Sequence, residues 1–497
     1  MQKIFTPLFL LFSLSIAAQD FMLTVNNGTG SGSYFYGDSV HIFSDKAPVT
    51  GVFTKWTGTG AGYLDIDDEW HTTLVVPAQS GVENLTVEAQ YGQLPAVASQ
   101  TTEMISLFGI DDGVFSEDVL KEVHFSIPEN PKGIVFLFHG TGGEGSSMFD
   151  KYELFTLVKD LYYAGYGSIA TDANERTMGD QNGDGKIRWL AAQAIQQEPD
   201  NNIDLYNIRA LRDTFIARYM LPDNFPFFSF GVSNGANFSD LAAATLGFRA
   251  SAHNTAHGSP SLYSLRDDAT PVIWLQNIND HNASANPTVA YANYQALLDR
   301  DICSDWLWLQ KSPIYEKRFM RSRNNISQQK SLEIYERFFD YPGLVDEHNF
   351  LTIDDLETEM PTGFFDPLGL TPAQEKDVTG QLKVINADHT GHGDFNKTII
   401  RFFENICEVT GVAPSPVLQN NISVYPNPTD GLVYLKGDNA RLRSVEIFDP
   451  QGQSILEKKV FDRTGEYSVD MGALPSGIYF LKMIYADGIR GVKVVVE

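Results

Sequence analysis

The sequence has few cysteines, few basic residues and no apolar run long enough to span a membrane. Two cysteines, Cys303 and Cys407, occur among 497 residues, which excludes a disulfide-rich scaffold. In an oxidising compartment they could pair or stay separate buried thiols, and the sequence leaves both open. The 36 basic residues stand against 63 acidic ones, a net charge of -27. Nucleic acid and anionic membrane surfaces are therefore poor partners, because both would be repelled.

The first 18 residues have the composition of a secretory signal peptide. Lys3 precedes an apolar run that ends near Phe12, and the small residues Ala17 and Ala18 precede Gln19. The apolar core is too short to cross a bilayer, and no later run reaches that length. We therefore expect an exported protein without a transmembrane segment.

The order of patterns along the chain predicts a multidomain protein with an α/β domain between two small all-β domains. Residues 21–95 consist of short alternating runs separated by Gly, Asp and Ser turns, which is typical of a β-module. Residues 96–118 are interpreted as a connector. In residues 119–408 strand and helix patterns alternate, which predicts a mostly parallel sheet with helices on both faces. Residues 409–420 form a proline-containing linker, and residues 421–497 are again strand-like.

Within the central domain the patterns give specific elements. Strands are predicted at residues 122–127, 133–138, 167–171, 226–230, 272–275 and 382–385. Helices are predicted at residues 148–163, 203–219, 234–246, 287–299 and 394–407. The alternation fails between about 310 and 380, where a polar helical piece (Ser327 to Phe339) lies among Pro- and Asp-rich loops. Such an insertion often covers a site as a lid, and a stabilising excursion away from the site is the alternative.

The chain is organised around Gly231-Val-Ser233-Asn-Gly235, a G-x-S-x-G pentapeptide. An aromatic strand-like run precedes it and an alanine-rich helix start follows it. A serine on such a sharp strand-to-helix turn has a strained backbone and an exposed oxygen, and the glycines remove Cβ atoms that would collide. Ser233 is therefore the candidate nucleophile.

The segment Ile134 to Gly143 ends a strand in His139 and a run of glycines, and it is the candidate oxyanion loop. Acyl transfer needs two amide donors aimed at the developing oxyanion. We assign one to the amide of Thr141 or Gly142 and the other to the amide of Asn234. His139 is interpreted as orienting the loop.

If the chain is an α/β-hydrolase, the acid and the base follow the serine in that order. His389 and His392 have the required position, and we assign the base to His392 because the glycines on both sides would free its ring. Asp280, in the loop after a strand, is assigned as the acid that orients the imidazole. The competing acids are interpreted as solvated turn residues: Asp267, Asp268 and Asp388.

On these motifs, residues 119–408 resemble secreted α/β-hydrolases of the polyhydroxyalkanoate-depolymerase and feruloyl-esterase kind. The resemblance implies a serine hydrolase that cleaves carboxylic esters, on a polymer or a plant-wall or polysaccharide ester, without a required cofactor. Val232 and Asn234 in the elbow and the large insertion depart from the pattern, so substrate identity does not transfer. A serine peptidase with the same triad and a non-catalytic surface adhesin remain alternatives.

The two flanking modules also resemble known types. Gly37-Asp-Ser-Val40 and the Phe53 to Gly58 run resemble β-repeat modules of bacterial surface proteins, which implies a spacer or a weak carbohydrate binder. Val424-Tyr-Pro-Asn-Pro428 and the Leu474 to Leu481 run resemble the C-terminal sorting domain of the type IX secretion pathway. That resemblance implies the outer-membrane secretion machinery as a partner and a secreted or cell-surface location.

Asp180, Asn182 and Asp184 match the first half of a calcium-binding loop, D-x-N-x-D-G. Oxygen ligands at alternate positions and a glycine at the sharp turn suit Ca²⁺. Ala191 stands where the bidentate glutamate is expected, so Asp172 or Glu175 would have to complete the ligands. We expect either a structural Ca²⁺ ion or a solvated Asp/Gly turn.

Overall fold

The computed structural model describes most of the chain from Asp20 to Val496 and divides it into two compact units. One unit contains residues 20–45 and 53–90, and the other contains residues 46–52 and the rest from Tyr91 onward. The signal-peptide prediction and the whole predicted linker, residues 409–420, lie outside the described residues. Also outside them are residues 78–79, 95–99, 112–113, 181–182, 192–197, 407–422, 430, 437–441, 449–453, 460–465, 486–487 and 497.

The N-terminal unit is all-β, in two sheets. Its strands are β1 (Phe21–Asn26), β2 (Gly28–Thr29), β3 (Gly32–Tyr34), β4 (Ser39–Ser44), β5 (Gly51–Thr57), β6 (His71–Val75) and β7 (Asn84–Gln93). The sheet orders are β3-β1-β7-β5 and β2-β4-β6. Alternate residues of β1 are buried and exposed, as expected of a sheet with one face on a core. Trp56 is 1 % exposed and donates from Nε1 to the Glu69 carbonyl, so it is a core residue.

The second unit is built on an eight-stranded sheet. Its strands are β8 (Thr101–Asp111), β9 (Val114–Ser126), β10 (Gly133–Phe138), β11 (Tyr166–Thr171), β12 (Phe227–Val232), β13 (Ser251–Asn254), β14 (Val272–Asn277) and β15 (Asp305–Leu309). The order is β15-β14-β13-β12-β10-β11-β9-β8, parallel except for β9, which runs antiparallel to both neighbours. This is the strand order of the α/β-hydrolase fold.

Helices cover both faces of this sheet and also form part of the insertion that follows β15. They are α1 (Ser147–Asp150), α2 (Tyr152–Ala164), α3 (Asn174–Met178), α4 (Ile203–Tyr219), α5 (Asn234–Leu246), α6 (Pro260–Leu265), α7 (Pro287–Leu298), α8 (Gln328–Arg337), α9 (Leu356–Glu359), α10 (Pro372–Ile385) and α11 (Asn396–Glu404). Ile134 and Phe136 pack with residues of α4 to α7, whereas Val135 and Leu137 pack with residues of α1, α2 and α11. Every residue of β10 is buried, which explains the uninterrupted apolar run in the sequence.

Two predictions about the sheet are wrong. Residues 101–111, assigned to a connector, form β8 and pair with β9 along the edge of the sheet. Residues 382–385, predicted as a strand, are the last turn of α10, because a short apolar run fits a helix or a strand equally well. The signal that distinguishes them is at the start of α10, where Thr371 and Gln374 form a capping box and Pro372 takes the first position. The strands β13 and β15 were not predicted.

The insertion between β15 and α11 folds around a hydrophobic core of its own. Phe319, Ile334, Phe338, Phe364 and Leu382 are among its buried residues. The predicted polar helix is α8, and the Ser327 hydroxyl caps it by accepting from the Lys330 amide. A role of this insertion as a lid stays a prediction.

The C-terminal module forms two sheets. Its strands are β16 (Ser423–Tyr425), β17 (Leu432–Lys436), β18 (Leu442–Phe448), β19 (Ser454–Lys459), β20 (Glu466–Asp470), β21 (Gly477–Tyr485) and β22 (Gly488–Val496). The orders are β16-β17-β20 and β19-β18-β21-β22. Val433, Leu435, Ile447 and Leu481 are buried between them. Among the residues described for the whole chain, no helix is both long and apolar enough to cross a membrane.

Cys303, just before β15, is disulfide-bonded. Cys407 is the other cysteine of the sequence and lies outside the described residues.

Candidate active site

Ser233 occupies the turn between β12 and α5, at the carboxyl edge of the parallel strands. Its φ of 56° and ψ of -123° lie in a region that L-residues rarely adopt. The turn is too tight for side chains at its glycines: a Cβ on Gly231 would be 2.1 Å from the Gly235 carbonyl oxygen, and one on Gly235 would be 2.3 Å from the Phe138 carbonyl oxygen. The Ser233 amide donates to the Asn254 carbonyl at 2.9 Å, which fixes the turn on β13.

A histidine and an aspartate extend from this serine in one hydrogen-bonded chain. His389 Nε2 lies 2.9 Å from Ser233 Oγ, and His389 Nδ1 lies 2.7 Å from Asp280 Oδ2. The Asp280 side chain is 2 % exposed, against 21 % for His389. An ionised aspartate only accepts hydrogen bonds, so Nδ1 carries the proton and Nε2 is free to accept from the serine hydroxyl.

The base is therefore placed differently from the sequence assignment: His389, and not His392, contacts Ser233. His392 is 3 % exposed and its Nε2 lies 3.0 Å from Asn277 Oδ1. Burial lowers the pKa of His392 to about 4. It is a neutral core residue beside the site.

The glycines around His392 misled the assignment because they serve close packing rather than ring mobility. A Cβ on Gly391 would be 2.9 Å from side-chain atoms of Leu154 and Val232. A Cβ on Gly393 would be 2.5 Å from Thr156 Oγ1 and 2.9 Å from the Glu153 carbonyl oxygen. These glycines allow the loop to lie against α2 and the end of β12.

Of the other acids weighed against Asp280, Asp267 is exposed, and the other two have local partners. Asp388 Oδ1 accepts from the His389 amide at 2.6 Å, and Asp268 pairs with Arg266 at 2.6 Å. Asp280 Oδ1 accepts from the Asn282 amide at 2.9 Å, which orients the carboxylate so that Oδ2 points to the imidazole.

The candidate oxyanion loop follows β10 and lies against the elbow. A Cβ on Gly140 would be 3.3 Å from the Val232 carbonyl oxygen and 3.4 Å from Ser233 Cβ, so the loop lies in close contact with the elbow. The Gly142 amide already donates to the Ile187 carbonyl at 2.7 Å. Of the two amides considered for the first oxyanion donor, Thr141 is therefore the one that remains. Within the described chain the amides of Thr141 and Asn234 make no hydrogen bond, and they remain the predicted pair of donors.

His139 and Trp189 hold this loop in place. His139 Nε2 accepts from the Ala173 amide at 3.1 Å and Nδ1 donates to the Gly140 carbonyl at 2.8 Å. Burial lowers the pKa of His139, which keeps it neutral. Trp189 donates from Nε1 to the His139 carbonyl at 3.0 Å, and its backbone amide donates to the Asn234 side chain at 2.8 Å. The expected orienting role of His139 agrees with these contacts, whereas Trp189 was not predicted.

The loop that resembles a calcium-binding site, Asp180 to Asp184, lies just before Trp189 in the sequence. Asp180 accepts from the amides of Gly183 and Gly185 at 2.8 and 2.7 Å, and Asp184 pairs with Arg188. Asn182 lies outside the described residues. Among the described residues no group of three His, Cys, Asp or Glu side chains is placed to hold a metal ion. A bound Ca²⁺ ion stays a prediction, and it would have to compete with Arg188 for Asp184.

Asp172 and Glu175, the acids considered for completing the calcium ligands, accept backbone hydrogen bonds. Asp172 Oδ1 accepts from the Gly145 amide at 2.7 Å, and Glu175 Oε2 accepts from the Arg188 amide at 3.0 Å. Both carboxylates thus fasten loops around the oxyanion segment.

Comparison with known proteins identifies the C-terminal module. Residues 423–497 match the model of the secretion system C-terminal sorting domain. This domain marks proteins that are secreted or attached to the cell surface by the type IX pathway, so the protein is exported by that route. No curated protein matches the chain.

Several solved structures are similar to the chain. A dienelactone hydrolase from Anabaena variabilis is 14% identical, with 48% of this chain and 98% of that one covered and a TM-score of 0.29. A serine hydrolase without lid from Xanthomonas campestris is 16% identical, with 42% and 84% covered and a TM-score of 0.28. Acetyl xylan esterase 1 from Thermoanaerobacterium is 13% identical, with 44% and 82% covered and a TM-score of 0.25. The strand order identifies the fold independently of these distant similarities.

Proposed function

We propose that this protein is a secreted serine hydrolase that cleaves carboxylic esters with Ser233, His389 and Asp280. The observation that carries the proposal is the continuous hydrogen-bonded chain from the Ser233 hydroxyl through both nitrogens of His389 to Asp280, at 2.9 and 2.7 Å. Three residues far apart in sequence meet there in the order and geometry of a nucleophile, a base and an orienting acid.

The chemistry follows from that geometry. As Ser233 Oγ attacks the ester carbonyl carbon, its proton passes to His389 Nε2, and the buried Asp280 carboxylate stabilises the imidazolium. The imidazolium then gives the proton to the departing alkoxide, which leaves as an alcohol while the acyl group stays on the serine. Water, deprotonated by His389, then attacks the acyl-enzyme carbonyl carbon. The bond from that carbon to Ser233 Oγ breaks, the imidazolium returns its proton to Oγ, and the carboxylic acid leaves.

The amides of Thr141 and Asn234 would stabilise the oxyanion of each tetrahedral intermediate. Two observations support this assignment. Neither amide makes a hydrogen bond within the described chain, and His139 holds the loop of Thr141 while the Trp189 amide holds the side chain of Asn234. Loss of one such donor costs about 3 kcal/mol of transition-state stabilisation. No redox or metal cofactor enters these steps.

A polymeric or polysaccharide ester is the proposed substrate class. Export by the type IX route brings the enzyme to material outside the cell, and the N-terminal β-module suits attachment to an extended substrate. The net charge of -27 favours neutral chains over polyanionic ones, which the protein would repel.

The test is hydrolysis of a series of chromogenic acyl esters and matched anilides by the mature protein, Ser233→Ala and His281→Ala. His281 is an exposed histidine next to Asp280 in sequence, and its variant controls for nonspecific loss. We expect ester turnover that collapses only in Ser233→Ala. Faster turnover of anilides than esters would favour the peptidase, and equal rates in all three proteins would refute the proposal.

A further inference from the structure

Asn277, the last residue of β14, holds the backbone on both sides of His389. Its Nδ2 donates to the Asp388 carbonyl and, at 3.3 Å, to the Thr390 carbonyl. Asn277 is 5 % exposed, so these bonds are shielded from competing water. The two carbonyls belong to the residues immediately before and after His389, so their position determines where the His389 backbone, and with it the imidazole, lies.

His392 completes this arrangement from the other side. Since Asn277 turns its nitrogen to the two carbonyls, its Oδ1 faces His392 and accepts a hydrogen bond from Nε2 at 3.0 Å. His392 must therefore carry a proton on Nε2, as in the neutral Nε2–H tautomer. Its burial, which lowers its pKa to about 4, maintains that state at neutral pH.

We propose that His392 is a positioning residue that acts through Asn277 to hold the peptide bonds flanking His389, so that the imidazole spans Ser233 and Asp280. The inference rests on the proposed function for its catalytic consequence, although the geometry of the loop is independent of the substrate. In the described structure His392 makes no hydrogen bond to Ser233 or Asp280, and its proposed effect on the reaction passes through Asn277.

Two further asparagines, Asn279 and Asn386, tie the same loop to the segment that carries Asp280. The Asn279 amide donates to the Ala387 carbonyl at 3.1 Å. The side chains of Asn279 and Asn386 both donate to the Asp354 carbonyl, at 2.7 and 3.0 Å. The segment that carries Asp280 and the one that carries His389 are thus fastened to each other.

The experiment compares Asn277→Leu, His392→Phe and His392→Gln with the wild type. Leucine matches the size of asparagine but cannot hold the carbonyls, so we expect kcat to fall about 100-fold with KM within about twofold. His392→Phe should lower kcat about tenfold, because Asn277 loses its anchor but keeps its donors. The glutamine amide can still donate to Asn277 Oδ1, so His392→Gln should keep kcat within about threefold.

Asn207→Leu is the matched control. Asn207 on α4 is 3 % exposed, and its side chain bonds the amide and carbonyl of Phe108 at 2.9 and 3.0 Å. Its replacement removes a buried asparagine with two backbone partners without touching the site. We expect a lower Tm and an unchanged kcat.

A second measurement does not depend on turnover: the low-field proton resonance of the His389 Nδ1–H bonded to Asp280. We expect it to shift or broaden in Asn277→Leu and His392→Phe and to remain in His392→Gln and Asn207→Leu. If Asn277→Leu only lowers Tm, as Asn207→Leu does, with kcat and the resonance unchanged, the positioning role is refuted while the hydrolase proposal stands. If the wild type cleaves no ester, that proposal fails, and the resonance alone decides the positioning role.

Discussion

The serine side and the histidine side of the candidate site are built in different ways. The serine side is local: β12, Ser233 and the first turn of α5 occupy one stretch, and the backbone strain is accommodated by Gly231 and Gly235 within it. The histidine side is assembled by distant segments, because its loop is held by the end of β14, by α2 and by the insertion. The G-x-S-x-G motif therefore determines the geometry around Ser233 by itself. The position of His389 depends on tertiary contacts that cannot be identified from the sequence.

The largest expected effect separates the two histidines. His389→Gln should lower kcat by about 10⁴-fold, because no group remains to take the serine proton, while His392→Gln stays near wild type. Steady-state kinetics with one chromogenic ester measure both. A larger loss in His392→Gln than in His389→Gln would reverse the assignment of the base.

The next effect tests the serine side. Gly231→Ala should lower kcat at least about 100-fold and lower Tm, because the new Cβ would be 2.1 Å from a backbone oxygen that cannot move aside. Gly380→Ala is the control, since a Cβ there would meet nothing within 4 Å. It lies inside α10 and should stabilise the protein by about 0.5–1 kcal/mol without changing kcat. Equal behaviour of the two variants would mean that the elbow is not strained as described.

The sequence predicts the serine side of the site better than the histidine side. Ser233, Asp280 and the Thr141 and Asn234 amides could be proposed because each follows a recognisable strand or glycine motif. His389 could not be separated from His392, since two histidines three residues apart differ only in which one the tertiary contacts bury. Asn277 carried one weak signal, since it and Gln276 are two polar residues at the end of a strand that is otherwise apolar. Trp189 carried none.

The fold shows a similar limit. Central strands such as β10 and β14 were predictable because helices cover both faces of the sheet and these strands are largely apolar. The short central strand β13 was missed because three of its four residues are polar. The edge strand β8 was missed because one-sided burial gives it only a weak pattern next to a polar segment. Residues 382–385 were misassigned because four apolar residues do not reveal their period.

A smaller effect concerns the anchor of the insertion. Arg321 makes two hydrogen bonds to Glu153 of α2, at 3.0 and 2.7 Å, and Gln381 donates to the same carboxylate at 2.8 Å. Arg321→Met should reduce the free energy of unfolding by about 3–5 kcal/mol, because Glu153 would remain charged and buried without its partner. Urea unfolding measures the loss. The Arg321→Met/Glu153→Met double variant should recover most of it, and a single variant as stable as wild type would contradict the buried ion pair.

The smallest effect is a pH dependence of stability. Burial lowers the pKa of His392 to about 4 and that of His253 to about 3, whereas both have a pKa of about 6.5 in the unfolded chain. The unfolded chain therefore binds more protons than the folded one in this window, and stability falls as the pH drops below about 6.5. His392→Gln should reduce the loss between pH 6.5 and 4 by on the order of 3 kcal/mol. His348→Gln, at an exposed histidine, should leave the pH profile unchanged, and identical profiles for all three proteins would contradict the depressed pKa.

The most direct test of the central claim is covalent capture of the nucleophile. A fluorophosphonate reacts with a serine that a neighbouring histidine activates, whatever the natural substrate. Incubation of the wild type, His389→Gln and His392→Gln with this reagent, followed by peptide mass mapping, should place one adduct on Ser233 in the wild type and in His392→Gln and none in His389→Gln. An adduct on another serine, or equal labelling of Ser233 in all three proteins, would contradict the account.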